Sequence, residues 1–185
     1  MFPTTDTLTT SLGDLPIRRA SAGDADAVHA VMCDAAAWLA RKQIKQWVSV
    51  PSKGFREFLD HRIANHAVYL LDYVGQPIAT ICLCDADPDI WGPRGDDGLA
   101  GYIHGFAVRD SVRRHQIGRS MLAWAEDCFA AAGRSLFRLD TMAENNRLCE
   151  YYCDLGFIEI ETRKMGPFLT RLYERPITLA KKDAL

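Results

Sequence analysis

The chain has 185 residues, enough for one well-buried domain and short for two. Its formal net charge of −2 gives no sign of a nucleic-acid partner, and no apolar run approaches the roughly 20 residues that span a bilayer. A soluble, single-domain protein with neither a nucleic-acid nor a membrane partner is the expectation.

Residues 1–14 are Thr-rich and polar, without the basic start and apolar core of a signal peptide, and are expected to be a disordered lead. The domain is placed at 15–176, followed by a loose tail at 177–185. Cys33, Cys82, Cys84, Cys128, Cys149 and Cys153 fall mostly inside apolar periodic segments, without histidines at zinc-like spacing. Reduced structural thiols in a cytoplasmic protein follow from that pattern.

Leu15 to Ala20 alternates as a first strand. Ser21 and Asp24 then form a capping box, opening a helix with Val28, Met32, Ala35 and Leu39 on one stripe and its end near Lys42. After a break at Trp47 to Gly54, Phe55, Phe58, Leu59 and Ile63 outline a second helix. Ala67 to Val74 and Pro77 to Cys84 read as a hairpin turning at Gly75-Gln76.

Asp85 to Gly98 fits neither period and is expected to be a loop. Tyr102 to Val108 reads as a buried strand, and Ile117, Met121, Trp124 and Cys128 as the face of the helix that follows it, ended by Gly133. Ser135 to Thr141 adds a strand, Asn145 to Leu155 a helix closed by Gly156, and Phe157 to Arg163 with Phe168 to Arg175 a last hairpin around Gly166-Pro167. The order predicts an α/β (α+β) fold: a mixed, mostly antiparallel sheet of about seven strands with about four helices on its faces.

The strand, loop and helix from Tyr102 to Leu122 carry the first chemical signal. A helix N-terminus presents unpaired amides and the positive end of the macrodipole, Arg113, Arg114 and His115 precede it, and Gly118 removes a side chain where a ligand would approach. A pyrophosphate suits that place, and so does the plainer reading of a solvated basic turn. His104, at even spacing from Phe106 and Val108, is expected on their side of the strand and is a candidate base; a partnered histidine in a half-buried strand is the alternative.

Val108, Arg113, Gly118, Asn145, Tyr152, Gly156 and Phe157 stand where the GNAT superfamily of acyl-CoA-dependent N-acetyltransferases has its two signature regions, and the chain resembles that superfamily from Leu15 to Arg175. The resemblance implies acetyl-CoA as co-substrate and no metal. It puts the diphosphate on the backbone from Arg113 through Arg114, His115, Gln116, Ile117 and Gly118 to Arg119, with Ser120 beside it, and the pantetheine along Phe106, Ala107 and Val108. Asn145 is implied as a cofactor contact as well as a helix cap, and Tyr152 as a cofactor contact and the acid that protonates the departing thiolate.

Two departures stand out. Gln116 replaces the first glycine of the family loop and keeps a usable amide if its φ is negative. Tyr102 occupies the position where some members carry a catalytic Glu, and is expected to line the pocket instead. An alkyl ammonium with a pKa near 10.4 is neutral only about once in 2,500 at pH 7, a deficit of roughly 4.6 kcal/mol, so a base must act. Trp38, Gln46 and Trp47, with Asp85, Asp87, Asp89 and Trp91, could outline an aromatic, acidic mouth for a cationic amine; a packed helix end and a solvated loop are the plainer reading.

The function these readings imply is acetyl transfer from acetyl-CoA to a primary amine of a small molecule by direct attack. A protein or peptide acceptor and a non-catalytic acyl-CoA sensor are the alternatives, and a homodimer through the C-terminal hairpin is what related proteins suggest.

Overall fold

A computed structural model describes residues 2–50 and 52–178. Of the expected tail, 179–185 lies outside the described residues. One eight-stranded sheet runs in the order β1-β2-β3-β4-β5-β6-β8-β7. Its strands are β1 (Thr5–Thr10), β2 (Gly13–Arg19), β3 (Ala67–Tyr73), β4 (Gln76–Cys84), β5 (Ala100–Val108), β6 (Leu136–Met142), β7 (Ile158–Met165) and β8 (Phe168–Pro176). Neighbours are antiparallel except β5 and β6, which are parallel. The helices are α1 (Ala25–Arg41), α2 (Lys53–Asn65), a single turn α3 (Pro88–Trp91), α4 (Ile117–Ala131) and α5 (Asn146–Asp154).

The mixed, mostly antiparallel architecture is the expected one, with two differences. The segment expected as a disordered lead supplies β1, which pairs with β2 along its whole length and is held by Trp124 Nε1–H donating to Asp6 at 3.0 Å. Its alternating threonines suit an edge strand, and one buried residue, Leu8, reaches the core. The stretch expected as a loop at 85–98 holds α3, because the Asp87 carboxylate caps the Ile90 amide and Pro88 supplies a ready first-turn φ. Four residues are too few to show a helical period.

Each face of the sheet has its own core. α4 covers one, where Phe129, Phe137, Met121 and Ile117 are fully buried with Tyr69 and Tyr173. α1 and α2 cover the other, through Val28, Val31, Met32, Leu59 and Ile63 packed on Val68, Leu70 and Leu172. Alternation along the strands decides which face each side chain enters.

The sheet opens in its middle. β5 and β6 pair only at Ala100/Leu136, Gly101/Phe137 and Tyr102/Arg138, although both strands run several residues further. Beyond that point they separate, and the backbone of β5 from Ile103 onward loses its neighbour on that side. Arg138 closes the joined end. Its buried guanidinium donates to Glu174 at 2.7 Å, to Asp97 at 2.8 Å, to the Arg94 carbonyl at 2.6 Å and to the Tyr102 hydroxyl at 2.8 Å.

At the same end, Gly101 lies against the ring of Phe129, and a Cβ there would fall 2.1 Å from Cδ1 of that ring. Phe129 is held edge-on by Phe137 at 5.1 Å and cannot swing aside. Gly101→Ala should therefore destabilise the fold by about 1–3 kcal/mol, read as a lower urea midpoint with an unchanged slope; an unchanged midpoint would show the ring to be mobile.

Candidate active site

A cleft of about 1040 Å³ opens where β5 and β6 part. Of the residues singled out from the sequence, Trp38, Gln46, Trp47, His104, Phe106, Ala107, Val108, Arg113, Gln116, Gly118, Arg119, Asn145 and Tyr152 line it. Arg114, His115, Ile117, Ser120 and Tyr102 do not. Ile117 faces the core, Arg114 faces solvent, and the His115 carbonyl is taken by the Ser11 hydroxyl at 2.8 Å.

At one end, residues 110–115 form a 3-10 turn that meets α4 at Gln116. Gln116 has φ +54° and ψ +19°, so the condition set for its amide to serve the ligand, a negative φ, is not met. The position demands the left-handed conformation that makes glycine the easy choice, and glutamine adopts it at a cost of roughly 1–2 kcal/mol. The loop geometry is thereby kept. The first backbone bonds of α4 run from Arg119 and Ser120 to the Gln116 carbonyl, which leaves the amides of Ile117 and Gly118 at the open helix start.

A Cβ on Gly118 would lie 3.3 Å from the Tyr151 hydroxyl and 3.4 Å from Phe106, so glycine lets those side chains close over the loop. Arg113 stacks on Trp38 with its guanidinium carbon 3.7 Å from the ring centroid, and its Nε is buried without a hydrogen bond. Burial outweighs the pull of Asp110 and Asp34 and lowers its pKa. Its one ion pair among the described residues, with Asp110, is long at 3.6 Å, which leaves the guanidinium able to take a phosphate as a closer partner. Trp38, assigned from sequence to the acceptor mouth, belongs to this end, with Arg147 on it as well.

β5 carries a bulge. Thr80 pairs with Ala107 and Cys82 with His104, so Gly105 and Phe106 together face Ile81, with Gly105 at φ +55°. The extra residue reverses the alternation. Phe106 and Val108 pack with the α4 core while His104 points to the opposite face, that of Cys82, Cys84 and Tyr102, and the shared side expected from even spacing is not observed.

There His104 lies between two carboxylates, with Nε2 3.3 Å from Asp87 Oδ2 and Nδ1 3.5 Å from Asp140 Oδ1. Burial alone would strip its proton, but the close carboxylates of Asp140 and Asp87 more than offset that and push its pKa up to about 9. At pH 7 it rests as imidazolium. The three groups bring their ligating atoms within 4.8 Å of one another, a donor set that a divalent cation would also match in kind.

Tyr152, on α5, is buried against Phe157 and Tyr173, and burial raises its hydroxyl pKa far above the ordinary value. It stays protonated and able to donate. Tyr151, one residue earlier, also reaches the cleft. Asn145 caps α5 by accepting from the Leu148 amide and donates its own amide to Gln46 across the cleft.

The acceptor end differs from the mouth read in the sequence. Asp85 pairs with Arg134, Trp91 is buried beside Tyr102, and the Tyr102 hydroxyl donates to the Arg94 carbonyl, so none of these faces the cleft. The walls are Met32, Ile44, Trp47, Phe55, Phe58 and Leu59, with Arg62 at the rim and Asp140 at the base. Asp140 was visible as a charge inside the apolar strand Leu136–Met142, two residues from Arg138 and on its face.

The sheet parts at its middle, with an open helix start and a half-buried arginine at one end of the cleft and the buried Tyr152 beside it. The profile of the acetyltransferase (GNAT) family matches residues 34–157, and the chain belongs to that family. It is similar to the uncharacterised N-acetyltransferase YesJ of Bacillus subtilis, at 23% identity over 84% of this chain and 86% of the relative. Its fold is shared with a GNAT-family acetyltransferase of Listeria monocytogenes (TM-score 0.76, 22% identity, 92% of this chain and 99% of that one). It is shared too with the PaiA N-acetyltransferase of Thermoplasma acidophilum, solved in complex with coenzyme A (TM-score 0.68, 16% identity, 88% and 98%).

Two outcomes follow from the geometry. Gln116→Gly should stabilise the protein by roughly 0.5–1 kcal/mol by relieving the left-handed backbone, offset in part by the looser unfolded chain; a lower urea midpoint would contradict it. His104 holds its proton more tightly folded than free, so its contribution to stability is whole below pH 6.5 and vanishes as the pH rises through about 9. The melting temperature should fall over that window, and His104→Gln should flatten the fall; equal slopes for both proteins would refute the ion-pair reading.

Proposed function

We propose that this enzyme transfers the acetyl group of acetyl-CoA to a primary amine of a small molecule by direct attack, with no covalent enzyme intermediate and no metal in the route. The observation that carries it is the free flank of β5 beyond Tyr102, which leads from the Gln116 to Arg119 turn to the hydroxyl of Tyr152 along a single cleft. An amide-rich pantetheine can pair with that strand as an added neighbour would. Arg113 and the first amides of α4 suit the diphosphate, and Arg114, His115 and Ser120 contribute by charge or backbone from outside the cleft.

The amine enters from the side of Trp47, Phe55 and Phe58. His104 takes one proton from it in the fraction of molecules where the imidazole is neutral, roughly one in a hundred at pH 7 when its pKa is about 9. Attack on the thioester carbon gives a tetrahedral adduct, whose collapse expels the thiolate. Tyr152 gives that sulfur its proton and recovers one from the new amide nitrogen, directly or through water.

An aromatic pocket that carries the Asp140 carboxylate suits a small cationic amine with an apolar body better than an extended peptide, which needs a groove with strand-pairing groups. The free thiols fit a reducing cytoplasm, and the open edge at β7 fits a second copy of the chain. Tyr152→Phe should lower kcat tenfold or more while acetyl-CoA affinity, measured by calorimetry, stays within about twofold. An unchanged kcat would remove Tyr152 as the acid, and tight acetyl-CoA binding without CoA release across a panel of amines would favour a sensor.

A further inference from the structure

We propose that Asp140, which faces the cleft while Asp87 holds His104 from behind, is an ammonium site shared between the proton of His104 and the charged amine of the acceptor, so that the acceptor's arrival discharges His104 and turns it into the base. This rests on the acetyl-transfer reading and adds to it the chemical class of the acceptor, a cation, and the residues that read its charge.

The charge count motivates it. Two carboxylates face one imidazole, so the trio carries −1 with His104 protonated and −2 without its proton. Among the described residues neither carboxylate has an arginine or lysine partner. Asp87 is nine-tenths buried, its Oδ1 is used by the Ile90 amide, and its Oδ2 has no aligned hydrogen bond, the 3.3 Å contact with His104 being a charge contact off the ideal direction. Asp140 is partly open and lines the cleft.

Of the other elements around His104, α2 brings one fixed cation, Arg62, to the lining of the same cleft. Cys84 of β4 has its thiol raised to the point of staying neutral, and His66, at the end of α2, is held below its ordinary pKa by burial and by the cations Arg62 and His104. Tyr152, on the far side of Asp140, stays neutral as well. A second cation at Asp140 is attracted by the carboxylates and repelled by Arg62 and the imidazolium, and of those two cations only the imidazolium can give up its proton.

The proton inventory closes. The ammonium binds and the imidazolium proton goes to water; the neutral imidazole then takes a proton from the ammonium, freeing the nitrogen lone pair for the thioester carbon. The C–N bond forms, the C–S bond breaks, and the second amine proton replaces the one Tyr152 gave to sulfur. His104 ends the cycle protonated, as it began, and the single proton the overall reaction releases leaves when the acceptor binds rather than when product departs.

The probe is ethylammonium chloride, titrated into the intact protein against sodium chloride at equal ionic strength, while NMR follows the His104 ring protons with pH. His104 should titrate near pH 9 in sodium chloride, and ethylammonium should move that midpoint lower. Asp140→Asn should both bring the midpoint toward 6.5 and abolish the ethylammonium effect. A midpoint that ethylammonium leaves in place in the wild-type protein overturns the proposal, as does an effect that survives in Asp140→Asn. Calorimetry with acetyl-CoA on the same preparation separates the two readings: an ethylammonium shift without acetyl-CoA binding keeps the cation site and overturns acetyl transfer.

Discussion

Everything the site offers depends on the place where β5 and β6 stop pairing. Two parallel strands held at Tyr102 and Arg138 and free beyond them create a wedge inside a sheet, and a wedge exposes backbone that would otherwise be satisfied. Arg138 makes the closed end firm, since a buried guanidinium with four acceptors around it is costly to disturb from any side. Two of those acceptors, Asp97 and the Arg94 carbonyl, come from the rim segment that also presents Asp87. Gly95 lies so close to Asp87 that a Cβ there would fall 2.2 Å from the Asp87 carbonyl oxygen. The clamp that shuts the wedge thus also places one of the two carboxylates that hold His104.

The wedge has a different chemistry at each end because the bulge at Gly105 turns β5 over halfway along. Up to His104 its even-numbered side chains enter the face of α1 and α2; from Phe106 onward they enter the face of α4. One strand can therefore offer backbone and apolar surface toward a cofactor and an imidazole toward an acceptor without the two competing for space. A regular strand would have put His104 and Phe106 on the same side. The bulge costs a stretch of ladder and gains a division of the cleft.

Much of this was legible in the residues. The periodicities located α1, α2, α4, α5 and most strands, since an amphipathic face is written in the spacing of Val28, Met32 and Leu39 or of Ile117, Met121 and Trp124. What escaped was set by neighbours distant in the chain. β1 looks like a polar tail until β2 pairs with it, and α3 is too short to show a period. Trp38 reads as an acceptor aromatic until Arg113 stacks on it from a loop 75 residues away. The reversal of His104 followed from a single αL glycine within a strand, a signal present in the sequence as Gly105 and readable as a bulge. Gln116 shows the converse, a side chain that hides a left-handed position which glycine would have advertised.

If His104 is the base we propose, its position between two carboxylates accounts both for its weakness at rest and for its release. A histidine placed alone in the cleft would be mostly neutral at pH 7 and ready to accept a proton, yet it would leave the acceptor's charge unread. Two carboxylates reverse that balance, since they hold the imidazole charged and make an ammonium welcome at the same time. On the proposed mechanism, the pair that suppresses the base in the empty site also attracts the ligand that releases it. The raised pKa follows from placing the imidazole between two carboxylates, and in the proposed cation site the aromatic walls of the cleft limit which cations arrive.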